Sequence, residues 1–267
     1  MSASGTPEDL LLVAISRQGD GRSIAGLRVD GRGWVRLVTP RQEGILYPHH
    51  TLLSGRTQPR LLDRILVDAD WPDHHPEQPE NRLIEGTPWQ LLERPARLPA
   101  LRAVPAALEG SPALLGDTEG RLRSSRVREL PGASLALFSP GDLRFTVRDD
   151  HDLGRRRIRA RFWWGGRAWS LPLQDDRYRR TLALRPEGDY PAAALGLRPD
   201  RPLYGAVALG LPFGGWCYKS VVSLFQLPFA CLHEPAAPPP APRTVRLREP
   251  ALIVSPHRLQ SKGSGID

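Results

Sequence analysis

The segment at residues 155–173 constrains the fold of this chain most, because its apolar and polar residues alternate strictly around a Gly-Gly pair in RRRIRARFWWGGRAWSLPL. A period of two is typical of a β-strand with one buried face. Gly165-Gly166 predicts a two-residue hairpin turn. When the hairpin closes at this turn, the pairs on one face are all apolar: Ile158 with Leu173, Ala160 with Leu171 and Phe162 with Trp169. The pattern therefore predicts both an antiparallel hairpin and its register.

The opposite face of this predicted hairpin is basic and aromatic. It presents Arg157, Arg159, Arg161 and Trp163. An indole stacks on any nucleobase and Arg neutralises phosphates, so the face is typical of a surface that binds single-stranded nucleic acid with low sequence specificity. Two other interpretations stay open: the Arg side chains cover the indole as ordinary surface packing, or the Trp faces another domain.

The distribution of charge favours a polyanionic partner. Residues 141–185 contain twelve Arg and six acidic residues, a net charge of +6 out of +8 for the whole chain. A basic patch of this kind is the usual electrostatic footprint of nucleic-acid binding, although Arg also serves on ordinary solvated surfaces.

Short strand-like runs separated by turn signals occupy much of the remaining chain. Gly and Pro, with 25 and 28 residues, are too frequent for an all-helical protein. A fainter hairpin in the first half is predicted to place one apolar set on a shared face: Ala25, Leu27, Val29, Val35 and Leu37. Its other face then presents three more candidate nucleic-acid-binding residues: Arg28, Trp34 and Arg36.

Several motifs occur in the order of a known family. They are SRQGDGRSIAGLRVDGRGWVRLV (Ser16–Val38), LLDRILVD (Leu61–Asp68), QPEN (Gln78–Asn81), FTVRDDHDLGRRRIRARFWWGGRAWSLPLQD (Phe145–Asp175) and CYKSVVSL (Cys217–Leu224). Together they resemble the prokaryotic dual OB-fold domain family over about residues 9–226. The resemblance implies two consecutive OB-like barrels, a bacterial defence or mobile-element setting, and nucleic-acid binding. The chain departs from the family at Ser220, Val221 and a proline-rich extension, which affect only the last strand and the tail.

We therefore predict an all-β fold of two consecutive OB-like barrels joined by a short helical or irregular connection. The first barrel is expected at residues 9–95 and the second at 132–232. Residues 96–131 are broken by Pro and suit short helical turns, so we assign them to the connection. Residues 233–267 are predicted to form a Pro-rich spacer and tail.

The densest polar cluster is WPDHHPEQPEN at residues 71–81. Adjacent His residues cannot both face one site from an extended strand, and the segment has no HExxH spacing, so we expect a polar loop without a metal. Because QPEN belongs to the family pattern, Glu80 and Asn81 are candidates for either a structural bracket or a ligand contact.

No catalytic or cofactor motif accompanies these features. The chain has no GKS or GKT phosphate loop, no GxSxG and no GxGxxG before a helix, so no cofactor is expected and an enzyme is not indicated. Cys217 and Cys231 form no CxxC pair, and we expect Cys217 to be buried. The N-terminus resembles neither a signal peptide nor a membrane span, which predicts a cytoplasmic protein without a membrane partner.

Three hypotheses for function follow from these observations. The first is a non-catalytic module that binds single-stranded DNA or RNA. The second is a protein-interaction adaptor that docks a protein encoded nearby, because Trp and Arg are also favoured interface anchors. The third is a nucleotide sensor or hydrolase that uses the polar loop at residues 73–81.

Overall fold

The computed structural model describes residues 6–40, 44–72, 75–84, 86, 88–130, 132–151 and 154–227. Within these ranges the chain forms fourteen β-strands and four short α-helices. The tail predicted at residues 233–267 lies outside the described residues, as do Asp73 and His74 of the polar cluster.

Six strands form the first barrel: β1 (Thr6–Gln18), β2 (Gly21–Arg28), β3 (Trp34–Val38), β4 (Arg64–Pro72), β5 (Asn81–Ile84) and β6 (Gln90–Glu93). They pair in the order β1-β2-β3-β5-β4-β6, and β1 also pairs with β4, which closes the sheet on itself. The β3–β5 pair is parallel and the others are antiparallel. This arrangement is a five-stranded OB-type barrel with β6 added to β4.

Short elements connect the two halves, as the Pro-broken sequence predicted. They are α1 (Leu98–Leu101), α2 (Ala103–Ala106), a 3-10 turn at Leu114–Gly116, β7 (Arg121–Arg123) and α3 (Ser124–Arg128). The strand β7 pairs with a strand of the second half.

The second half contains β8 (Leu135–Phe138), β9 (Gly141–Asp150), β10 (Arg155–Trp164), β11 (Arg167–Pro172), α4 (Asp176–Ala183), β12 (Gly188–Pro191), β13 (Leu203–Leu209) and β14 (Trp216–Gln226). One sheet has the order β11-β10-β9-β12 and the other β7-β14-β13-β8. A parallel bridge between Leu173 and Val221 links β11 to β14. This half repeats the OB order of meander, helix and final hairpin, so the predicted fold class of two OB-like barrels is confirmed.

The predicted hairpin of the second barrel is confirmed, and its strands pair in the predicted register. Strand β10 pairs with β11 so that Phe162 lies opposite Trp169 and Ala160 opposite Leu171. Gly165 and Gly166 form the turn with φ angles of 57° and 75°, which a residue without a Cβ adopts readily. The apolar face is buried in the barrel core.

The predicted shared apolar face of the first-barrel hairpin is wrong. The structure pairs Leu27 with Trp34, so Val35 and Leu37 face the interior of the first barrel while Ala25 and Leu27 face the other way. Both faces of this hairpin are apolar and buried, so the alternation of residues does not select one pairing.

Three apolar clusters explain why both faces are buried. One fills the second barrel and one fills the first. The third is built from both halves, with Leu11 and Leu27 from the first barrel, Leu101 from the connection, and Leu137 and Phe225 from the second barrel. The two barrels therefore share a packed interface. No helix within the described residues is long and apolar enough to span a membrane.

Candidate nucleic-acid interface

The face of β10 that points away from the core carries the predicted basic row. Arg157 and Arg161 are exposed, Arg159 is half-buried, and Trp163 is 54% exposed. Their orientation follows from the burial of the alternate residues Ile158, Ala160 and Phe162 in the core, because successive side chains of a strand point to opposite faces. Burial of the apolar face of β10 thus fixes the basic row on the outer surface of the strand.

Neighbouring strands add positive charge that the sequence analysis did not assign to this surface. Arg144 on β9 lies opposite Arg161, and Arg148 lies opposite Arg157. Arg148 donates to Asp189 at 3.1 Å, and Arg161 lies 3.7 Å from the same carboxylate. Like charges placed opposite each other across a sheet repel. Besides the shared Asp189, Asp142 pairs with Arg144 and Asp150 pairs with Arg157, so carboxylates offset part of this repulsion.

Arg159 lies at the centre of the basic row and bonds to neutral groups. Its guanidinium donates to Ser170 Oγ at 2.9 Å and to the Ser170 carbonyl oxygen. Burial, and then the positive charge of Arg157, lower the pKa of Arg159 below its ordinary value. A phosphate group placed here would offset an unfavourable electrostatic environment, because opposite charge favours the ionised guanidinium.

Two shallow grooves lie on this surface. One, of about 510 Å³, is bordered by Arg144, Arg161, Trp163 and Ala168. The other, of about 440 Å³, is bordered by five exposed or half-buried arginines: Arg155, Arg156, Arg157, Arg159 and Arg179. The groove with exposed aromatic surface and the groove lined mainly by arginines therefore lie at different points along the row. A polyanion with stacking bases requires both kinds of contact.

The loop between β13 and β14 presents further aromatic residues. Phe213 is 78% exposed, and the indole of Trp216 is covered by the guanidinium groups of Arg121 and Arg123 at 4.3 Å and 4.6 Å. Tyr218 is exposed on the same strand. Because β11 and β14 run parallel, the start of β14 lies at the same end of the barrel as Trp163. These residues were not predicted, although the aromatic residues on either side of Gly214-Gly215 in LPFGGW were a usable signal.

The residues predicted on the outer face of the first barrel do not form a solvent-facing site. Arg36 is only 7% exposed, and Trp34 packs half-buried against the apolar cluster shared by the two barrels. Arg28 forms an ion pair with Glu8 at 2.6 Å and is mostly buried. Their predicted outward orientation is therefore wrong: Trp34 and Arg36 are covered by the second half of the chain, and Arg28 is held by Glu8 within the first barrel.

The QPEN segment contacts the second barrel. Glu80 is 5% exposed and lies 3.0 Å from Arg36. It also accepts hydrogen bonds from the Ser134 hydroxyl at 2.6 Å and the Ser134 amide at 3.0 Å. Burial opposes ionisation of Glu80, but the charge of Arg36 and the bonds from Ser134 outweigh it and hold the pKa of this carboxyl below its ordinary value.

Two neighbours of Glu80, Gln78 and Glu77, also contact residues beyond the first barrel. Gln78 donates to the carbonyl oxygen of Leu209 at 3.4 Å, and Asn81 donates to Gln78 at 3.3 Å. Glu77 is buried and bonds Arg128 of α3 at 2.7 Å. Of the two roles predicted for Glu80 and Asn81, these contacts favour the structural bracket.

Cys217 is fully buried within the second barrel, as the sequence analysis expected. Burial raises the pKa of its thiol, which disfavours the thiolate form that a nucleophile requires.

Comparison with known proteins gives one match to a family and one distant structural likeness. The model of the family described as Dual OB-containing domain matches residues 8–224. No curated protein matches the chain. The crystal structure of the tetrameric p202 HIN2 aligns at 7% identity with a TM-score of 0.27, covering 82% of this chain and 94% of that one. A TM-score this low does not establish a common fold.

Proposed function

This chain belongs to the dual OB-containing domain family, and we propose that its second barrel binds single-stranded DNA or RNA with little sequence specificity. The family shows an architecture of the OB type, which binds oligonucleotides and oligosaccharides on the second and third strands of the barrel. In the second barrel these strands are β10 and β11. The observation that carries the proposal is the exposed Trp163 at the end of the Arg157–Arg159–Arg161 row on these strands.

Different residues of this surface would contact the phosphates and the bases. The Arg side chains neutralise phosphates without distinguishing sequence, while Trp163 and Phe213 offer aromatic surface to any base. Nothing in this arrangement resembles the paired donors and acceptors that distinguish one base from another. We therefore expect affinity to depend on length and salt more than on sequence.

Fluorescence anisotropy with labelled single- and double-stranded 20-nucleotide oligomers, over a salt series, tests the proposal. The variant R159A/R161A/W163A should weaken single-strand binding at least tenfold. It should also reduce the slope of log affinity against log salt by about 1.4, since each lost phosphate contact contributes about 0.7 on single strands. R32A/R198A is the matched control, because it removes two exposed arginines elsewhere on the molecule. Equal affinity of the triple variant and the native protein would exclude this surface.

The adaptor hypothesis is the alternative that the same face supports, because exposed Trp, Phe and Arg are also interface anchors. Co-purification of a stoichiometric protein, together with no oligonucleotide binding at low salt, would favour it. The defence or mobile-element setting and the cytoplasmic location stay predictions.

A further inference from the structure

A separate groove lies where the first hairpin of the first barrel meets helix α4 of the second. Its volume is about 580 Å³, within the range of small-molecule sites. The first barrel contributes Arg17 and Arg22 from β1 and β2, and Arg60 from the loop before β4. The second barrel contributes Arg177 and Arg180 from α4.

The first-barrel side of the groove holds positive charge without an ion-pair partner. Arg17 and Arg22 lie directly opposite each other in the β1–β2 register, where like charges are destabilising. Among the described residues, no carboxylate lies within ion-pair distance of Arg17, Arg22 or Arg60. The Arg17 side chain donates only to the carbonyl oxygen of Gly19, at 3.0 Å.

Two of the three aspartates that line the groove already have partners. Asp175 is buried, pairs with Arg177 at 2.7 Å and accepts from the Leu224 amide at 2.9 Å. Asp176 pairs with Arg180 at 2.6 Å. Asp20, at the tip of the first hairpin, is the third. Since the α4 arginines are matched by their own carboxylates, the three first-barrel arginines face a single remaining acid.

The rest of the lining is mostly apolar and, among the described residues, lacks an aromatic side chain. Ile15, Pro59 and Leu61 border the groove, and none of the described lining residues is aromatic. A nucleic-acid strand relies on stacking of successive bases on aromatic side chains, which this groove does not supply, whereas a single base can pack on its apolar wall. A compact ligand with one strongly anionic end and one flat apolar end fits the lining better.

We propose that this groove binds a phosphorylated small molecule of nucleotide size. Its phosphates lie against Arg17, Arg22 and Arg60, and its remaining part packs on Ile15, Pro59 and Leu61. Helix α4 of the second barrel forms the opposite wall of the groove, but the contacts proposed for the ligand lie on the first barrel. This site is independent of the proposed nucleic-acid surface on β10 and β11.

Isothermal titration calorimetry of the full chain at low salt, with inorganic pyrophosphate and with ATP, GTP, CTP and UTP, tests the proposal. We expect at least one nucleotide to bind more tightly than pyrophosphate, and R22A/R60A to weaken both by at least tenfold. The variant R32A/R198A, which removes the same charge outside the groove, should bind like the native protein.

The result that overturns the proposal is no heat with any probe at 5 mM, or equal affinities for R22A/R60A and native protein. Equal binding of pyrophosphate and every nucleotide would overturn the role of the apolar wall. The variant R159A/R161A/W163A should retain nucleotide binding, whereas R22A/R60A should retain oligonucleotide binding. Failure of this site is therefore distinguishable from failure of the proposed function.

Discussion

Replacement of Glu80 by Gln tests the contact that joins the two barrels. The substitution keeps the shape of the side chain but removes the charge facing Arg36, which is buried and 3.0 Å away. Breaking a buried ion pair by removing one partner costs about 3–5 kcal/mol, because the other charge stays buried without compensation. Against a total stability of about 5–15 kcal/mol for a typical domain, this is a large fraction.

Equilibrium unfolding in urea at pH 7 measures the cost. E129Q is the matched control, because Glu129 pairs with Arg126 on the surface and such pairs contribute only about 0–1 kcal/mol. The double variant R36M/E80M removes both charges, so it should cost less than the single variants R36M and E80M added together, by about 2 kcal/mol or more.

The effect also has a predicted pH dependence. Since the pKa of Glu80 is lower in the folded protein than its ordinary value, its contribution is complete above the unfolded pKa and disappears as pH falls through the folded one. The difference between native protein and E80Q should therefore shrink at low pH. A cost below 1 kcal/mol at pH 7, or strict additivity in the double variant, would refute the reasoning.

Three further predictions concern the second barrel. Lys219 is fully buried, and burial lowers its pKa to about 8. Between pH 8 and the ordinary lysine pKa of 10.5 the unfolded chain therefore binds more protons than the folded one. The free energy of unfolding should thus rise by about 3 kcal/mol over that interval relative to K219M. Parallel urea profiles of the two proteins would contradict this. G165A should lower the melting temperature more than G166A, because a Cβ at Gly165 would lie 2.3 Å from the Pro112 carbonyl oxygen whereas Gly166 has open space; equal losses would show that only the positive φ matters. F213A should leave the melting temperature unchanged but weaken oligonucleotide binding by about 5-fold or more, and unchanged anisotropy would exclude this loop from the interface.

The second-barrel hairpin shows what local pattern can predict. One of its faces is entirely apolar and the other carries arginines and Trp163, so one register pairs the apolar face with itself, and Gly165-Gly166 marks the turn. Arg157, Arg159, Arg161 and Trp163 were therefore placed correctly on its outer face. The arginines contributed by β9 were missed, because strand neighbours across a sheet are not apparent from alternation alone.

The first-barrel hairpin shows the limit of the same argument. Its Trp34 and Arg36 have the same residue types as the second-barrel face, yet they lie against the other half of the chain. Glu80 is 44 positions from Arg36, and Ser134 is 98 positions from it. Such a network depends on how two barrels pack, so a pattern with a period of two residues cannot encode it.

The sequence by itself determined the all-β class and the basic face of β10, because strand alternation and turn residues act over a few positions. The dual OB-like organisation was implied by the resemblance of its motifs to a known family. Tertiary packing alone decided which of two similar Trp–Arg faces is open to solvent, since burial depends on the surface that another part of the chain covers. It also made QPEN a contact between barrels and brought Arg17, Arg22 and Arg60 together beside α4. The QPEN contact forms only after both barrels have folded and docked, whereas the three arginines come together within the first barrel and docking places them beside α4.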